Sequence, residues 1–154
     1  MDTSIIIMSI VIVGLIAIPV LLLENTKKKG KKLLKLIQDL AKKNNNKITE
    51  FDKWNSYAIG IDSISRKLYY ASNLQKDEQS TVIDLALVQN CKISNIRKTK
   101  SSKTEEERLV LEFSFIDKNK SNVTIEFYNS EVDGLTMQGE YQLAEKWMRI
   151  INQK

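Results

Sequence analysis

The chain has 154 residues, a net charge of +5, one cysteine and no histidine, which leaves room for one compact domain of about 100 residues beside an anchor. Without histidine, imidazole acid-base chemistry and the usual zinc-ligand sets are excluded, and the lone Cys91 cannot close an intramolecular disulfide, so a reducing compartment fits better. The basic balance is local: nine lysines between Glu24 and Lys47 meet only Glu24 and Asp39, for +7, whereas residues 48–154 carry 15 basic and 16 acidic side chains, so the charge marks one tract and not a nucleic-acid-binding face.

Residues 1–24 read as a transmembrane anchor. Ile5 to Leu23 is nineteen positions without a charge, a helix of about 28 Å at 1.5 Å per residue, close to the hydrocarbon thickness. Fourteen of them are Ile, Val or Leu, which together favour insertion by about 4–8 kcal/mol. A cleaved signal peptide needs a basic start and a small-residue cleavage site, and neither is present. Asp2 precedes the stretch and KKKGKK follows it, so the positive-inside bias places the N-terminus outside and the rest at the cytoplasmic face of the cell membrane, crossing once.

Residues 25–47 form a basic connector. Leu33, Leu36, Ile37, Leu40 and Ala41 fall three or four apart among lysines, which predicts a short amphipathic helix. Lys27, Lys28, Lys29, Lys31, Lys32 and Lys35 are the candidate membrane contacts, either as a stop-transfer cluster or as a surface for anionic lipid. Asn44, Asn45 and Asn46 end the helical pattern.

From residue 48 the period changes to alternation. Tyr57, Ile59 and Ile61 alternate, Asp62 to Ser65 is a polar turn, and Lys67 to Ala71 returns, which gives a first hairpin. Thr81 to Val88 and Cys91 to Thr99 read as two further strands, and Lys100 to Glu107 as a polar loop. In Arg108 to Ile116, Leu109, Leu111, Phe113 and Phe115 point one way and Glu112 and Ser114 the other; Val123, Ile125 and Phe127 repeat this against Thr124 and Glu126 after the turn at Asp117 to Lys120. Glu140 to Asn152 reverts to helical spacing, with Leu143, Ala144, Trp147, Met148, Ile150 and Ile151 on one side, and Trp147 is its largest plug.

The expected class is therefore α+β, mainly β: a curved antiparallel sheet or barrel of six to seven strands in residues 48–154, closed by a C-terminal amphipathic helix. YAIGIDSISRKLYYAS (Tyr57 to Ser72), TVIDLALVQNCKI (Thr81 to Ile93) and LAEKWMRII (Leu143 to Ile151) together resemble the pleckstrin-homology-like barrel of membrane-anchored bacterial proteins. The resemblance implies a head-group site around the first hairpin and points to Arg66 and Lys67, although two cations beside Asp62 make a poor pocket for a multiply charged head group. Cys91 is expected as a small buried hydrophobe, Glu105 to Glu107 as a solvated acidic run, and Trp54, Tyr69 and Tyr70 as packing residues. No catalytic, metal or cofactor residues are assigned. The expected role is a tethered, non-enzymatic interaction domain that binds a protein partner or another copy of itself, with no nucleic acid involved; the alternative is an anionic-lipid sensor built on the basic tract.

Overall fold

A computed structural model describes residues 30–74, 77–99, 105–134 and 136–153. The apolar stretch from Ile5 to Leu23, with Lys27, Lys28 and Lys29, lies outside the described residues, among which no helix is long and apolar enough to cross a membrane. The described chain is a helix α1 (30–43), then β1 (Glu50–Trp54), β2 (Tyr57–Asp62), β3 (Lys67–Leu74), β4 (Asp77–Asp84), a 3-10 turn (Leu85–Leu87), β5 (Val88–Thr99), β6 (Glu105–Phe115), β7 (Val123–Asn129) and α2 (Glu140–Asn152). All strand pairs are antiparallel between chain neighbours, in a four-stranded sheet β1-β2-β3-β4 and a three-stranded sheet β5-β6-β7.

Local chemistry sets the corners. At the β2–β3 turn the Asp62 carboxylate accepts from the backbone N–H of Ile64 at 2.9 Å and of Ser65 at 3.0 Å, and Arg66 takes a left-handed φ of 52° to close the loop. The same carboxylate accepts from Lys47 N–H at 3.0 Å. These backbone donors, led by Ser65, hold the Asp62 carboxyl below its ordinary range. Between the sheets the expected strand Thr81 to Val88 stops early, because the Asp84 carboxylate accepts from Ala86 N–H at 3.0 Å and winds Leu85–Leu87 into a 3-10 turn. The chain then enters the second sheet at Val88.

The expected loop from Lys100 to Glu107 also ends sooner. Glu105, Glu106 and Glu107 begin β6, opposite Thr99, Lys98 and Arg97 in register. Arg97 and Glu107 make an opposite-charge pair across this part of the ladder. Glu107 Oε1 accepts from Asn95 Nδ2 at 2.8 Å and from Arg97 Nη2 at 3.2 Å, and its carboxyl lies below the ordinary range, Asn95 contributing most. One strand, β1, has no counterpart in the sequence reading; EFDKW is mostly polar and its pattern is short, but pairing with β2 supplies the ladder.

Two apolar clusters form. The larger lies between the sheets and α2, where Tyr57, Ile59, Leu68, Leu109, Leu111, Phe113 and Phe127 meet Ala144, Trp147 and Ile151. The smaller lies on the outer face of the first sheet, where Leu33, Ile37 and Ala41 of α1 cover Ala58, Tyr69 and Ala71. β2 is therefore buried at every position and loses the simple in-out alternation of a strand facing water. Gly60 lets α1 come close: a Cβ there would stand 2.9 Å from Ile48 Cγ2 and 3.2 Å from Ile37 Cδ1.

α2 spans the residues its periodicity predicts. Glu140 in its first turn and Arg149 in its last complement the helix dipole. Its C-terminal end is clipped twice. The Asn152 side-chain amide donates to Cys91 O at 2.8 Å and accepts from Cys91 N–H at 3.0 Å, in place of a neighbouring strand on the β5 edge. Arg66 Nη1 donates to Gln153 O at 2.7 Å.

Candidate functional site

The densest polar grouping lies where β7 meets the first sheet. Glu126 and Asn129 are both 8% exposed. The Glu126 carboxylate is paired with the Arg108 guanidinium, whose Nε donates to Oε2 at 2.6 Å and whose Nη2 reaches the same oxygen. On the other side Tyr57 Oη stands 2.8 Å from Asp133 Oδ2, to which it donates, and 3.2 Å from Glu126 Oε1. Asp133 also accepts from Asn129 N–H at 2.9 Å, and Tyr70 Oη donates to Glu126 O at 2.7 Å. Burial raises the Tyr57 and Tyr70 hydroxyls well above the ordinary tyrosine range and also pushes the Asp133 carboxyl up, with Glu126 and Glu140 adding to the effect on Asp133.

Beside this network opens a cleft of about 210 Å³ lined by Tyr70, Ser72, Leu74, Gln79, Thr81, Arg108, Val110, Thr124 and Glu126. Its walls offer hydroxyls, one guanidinium and one carboxylate already paired with it. That set can hold a small polar group by hydrogen bonds. Ser72, Thr81 and Thr124 share the cleft with a carboxylate that is paired with Arg108. The network's clearest role is to fasten β7 to β2 and β3.

Arg108→Ala tests that role. It leaves the buried Glu126 carboxylate without its cation, and is expected to cost about 1–3 kcal/mol, below the 3–5 of a fully buried pair because Arg108 is partly exposed. Adding Glu126→Gln keeps an acceptor near Tyr57 and removes the stranded charge, so the double variant is expected to recover part of the loss in chemical denaturation. A double variant no more stable than Arg108→Ala alone would show that the pair does not carry the joint.

Comparison with protein-family models, curated proteins and solved structures finds no match to this chain.

The sequence-derived candidates are scattered over the fold. Lys31, Lys32 and Lys35 are exposed on α1, and Lys32 Nζ pairs with Glu78 Oε2 at 2.6 Å. Arg66 is turned toward the C-terminal end of α2, where it serves the backbone carbonyls of Gln153 and Ile151. Lys67 stands opposite Asp84 in the β3–β4 ladder. The two first-hairpin cations are thus not gathered around one pocket. Cys91 is buried and burial pushes its thiol up to about 12, which suppresses the thiolate.

The aromatic residues separate as well. Tyr69 lies under α1 and accepts from Asn46 Nδ2 at 2.7 Å, Tyr70 lies in the inter-sheet core, and Trp54 stacks on Phe127 at 4.6 Å. Sequence reading missed Glu126 and Arg108 because each sits at a polar position of an alternating strand, the place of a solvated side chain. The failure of alternation shows only in the fold, where every residue of β7 from Ile125 onward is buried, Glu126 included.

Proposed function

We propose that the chain is a membrane-tethered, non-enzymatic interaction domain with a pleckstrin-homology-like barrel. Residues 5–23 hold it in the bilayer, and the folded part stands at the cytoplasmic face and binds a protein partner. Seven antiparallel strands in two sheets, followed by one C-terminal helix packed on them, support that reading.

The observation that carries this reading is the docking of α1. The helix begins seven residues after Leu23 and is packed along the first sheet, starting with Gly30 beside Lys53 and ending where Asn46 meets Tyr69 and Lys47 meets Asp62. A connector packed in this way leaves no free chain between residue 30 and the first sheet, as a flexible linker would. The end of the barrel remote from Gly30 is the end with the β2–β3 turn. It carries Ile64 at 92% exposure, together with Leu87 and Ile116, whose backbones are hydrogen-bonded to each other at 3.0 Å. Exposed apolar side chains at the end of the fold away from Gly30 are suited to a protein surface.

Two measurements test the proposal. The full chain is expected to stay with membranes through carbonate extraction, and a photo-cross-linking residue in place of Ile64 is expected to give one discrete adduct in those membranes. A chain recovered in the soluble fraction, or the absence of adducts from positions 64, 87 and 116 alike, would overturn it.

A further inference from the structure

α1 has two chemically different sides, and the fold occupies only one. Leu33, Ile37 and Ala41 are at most 1% exposed and face the first sheet. Lys31, Lys32, Lys35, Lys42 and Lys43 are exposed around the opposite arc, with Asp39 the one acidic residue of the described helix. Glu78 from β4 reaches Lys32 and leaves that lysine mostly exposed, at 68%.

An amphipathic helix on a bilayer ordinarily buries its apolar stripe among the acyl chains. Here that stripe is already covered by protein, so any contact with a bilayer has to use the lysines. We propose that the lysine side of α1 rests on an anionic headgroup layer, so that α1 lies between the membrane and the first sheet with its apolar side turned up into the protein.

Charge and chain length both argue for this occupant. Residues 24–47 hold nine lysines against two acidic residues, a field of the sign that a leaflet of anionic lipids attracts, worth up to about fivefold in affinity for each lysine near the surface. Only residues 24–29 separate the apolar stretch from the first described turn of α1, and six residues reach about 20 Å at full extension. α1 itself is about 21 Å long, so its whole lysine side can come down on a bilayer that holds residues 5–23. The inference rests on the tethered reading for the presence of that bilayer, and adds to it which face of the domain is turned down and which lipid charge holds it there.

The test uses the full chain in lipid nanodiscs of phosphatidylcholine, with or without one part in about three of phosphatidylglycerol, each containing a paramagnetic headgroup lipid. Cys91 is buried, so a fluorophore is placed on Asp39→Cys or, as a distant control, on Ser121→Cys in the β6–β7 loop. Entry of the chain into the discs is scored first, and a chain that does not enter overturns the tether and with it the bilayer as the neighbour of α1. For chains that enter, the label at 39 is expected to be quenched in the anionic discs only, and to be released at about 1 M salt, where the screening length falls to about 3 Å. The label at 121 is expected to stay bright throughout. Lys31→Gln, Lys35→Gln, Lys42→Gln and Lys43→Gln together, all at exposed positions, are expected to reduce quenching at 39 to the phosphatidylcholine level without change in thermal unfolding. Equal quenching in the two lipids, no loss in the glutamine variant, or shielding of the label by an added acidic protein or RNA but not by anionic lipid would each overturn the proposal.

Discussion

Replacing Trp147 with alanine is expected to lower the stability of the folded part by about 3–5 kcal/mol, the range for removing a fully buried aromatic side chain. Trp147 is 0% exposed and is the largest fully buried side chain among the described residues. It is held by α2 in the core between the two sheets, where Leu109, Leu111 and Phe113 of β6 form part of the wall. Hydrogen-bonded sheets cannot close over a void as a loop can, so the cavity would persist and the cost should fall in the upper half of the range. The indole also has a polar tie: its Nε1–H donates to Asp52 Oδ2 at 2.9 Å, an oxygen that takes Lys146 Nζ at 2.7 Å as well.

Trp147→Phe separates the two contributions. It keeps most of the apolar volume and leaves Asp52 paired with Lys146, so a loss of about 1–2 kcal/mol is expected. Chemical denaturation reads both variants, with the midpoint shifting while the slope stays constant. If alanine costs less than about 1 kcal/mol, α2 is not what holds the two sheets together.

How much of this was legible in the sequence depends on how many neighbours each residue answers to. α2 could be read to its last residue because one helix face against one core is a single periodic constraint, and LAEKWMRII satisfies it without interruption. The β2–β3 and β6–β7 hairpins could be read for a similar reason: each return strand is set by a short polar turn whose Asp62 or Asp117 accepts a nearby backbone N–H. β1 could not, since EFDKW has little pattern of its own and becomes a strand through its ladder with β2.

The polar joint was hidden for a different reason. A glutamate at the outward position of an alternating strand is the ordinary mark of a solvated face, and only the return of β7 beneath Tyr57 and Tyr70 buries Glu126. That burial is a long-range event, between residues 56 and 69 apart in the chain, and no local pattern reports it. The connector illustrates the same limit. Its amphipathic stripe was visible, but a stripe does not say whether lipid or protein covers it, and Ala58, Gly60 and Ala71, the small residues that open a seat for α1 on the sheet, look like weak positions in a strand.

That seat gives the second large effect. Ile37 is 0% exposed at the centre of the α1 contact, and truncation to alanine there should cost about 2–5 kcal/mol. Ile37→Asp should be worse locally and gentler globally. The carboxylate would be enclosed by Leu33, Ala41, Ala58, Tyr69 and Ala71, none of which carries a positive charge to pair it, and desolvating an unpaired charge costs several kcal/mol. A helix of four turns held by one small cluster cannot absorb that penalty, so α1 is expected to leave the sheet. The inter-sheet core shares no buried residue with the α1 cluster, so β5, β6, β7 and α2 should remain folded. Amide hydrogen exchange on the full chain reads the difference: protection is expected to vanish across residues 33–43 and to persist in β6. Equal loss of protection in both regions would mean that the two cores melt as one unit. In that event α1 is part of the stability of the two-sheet fold and not a separable layer, and it could not be undocked without unfolding the domain.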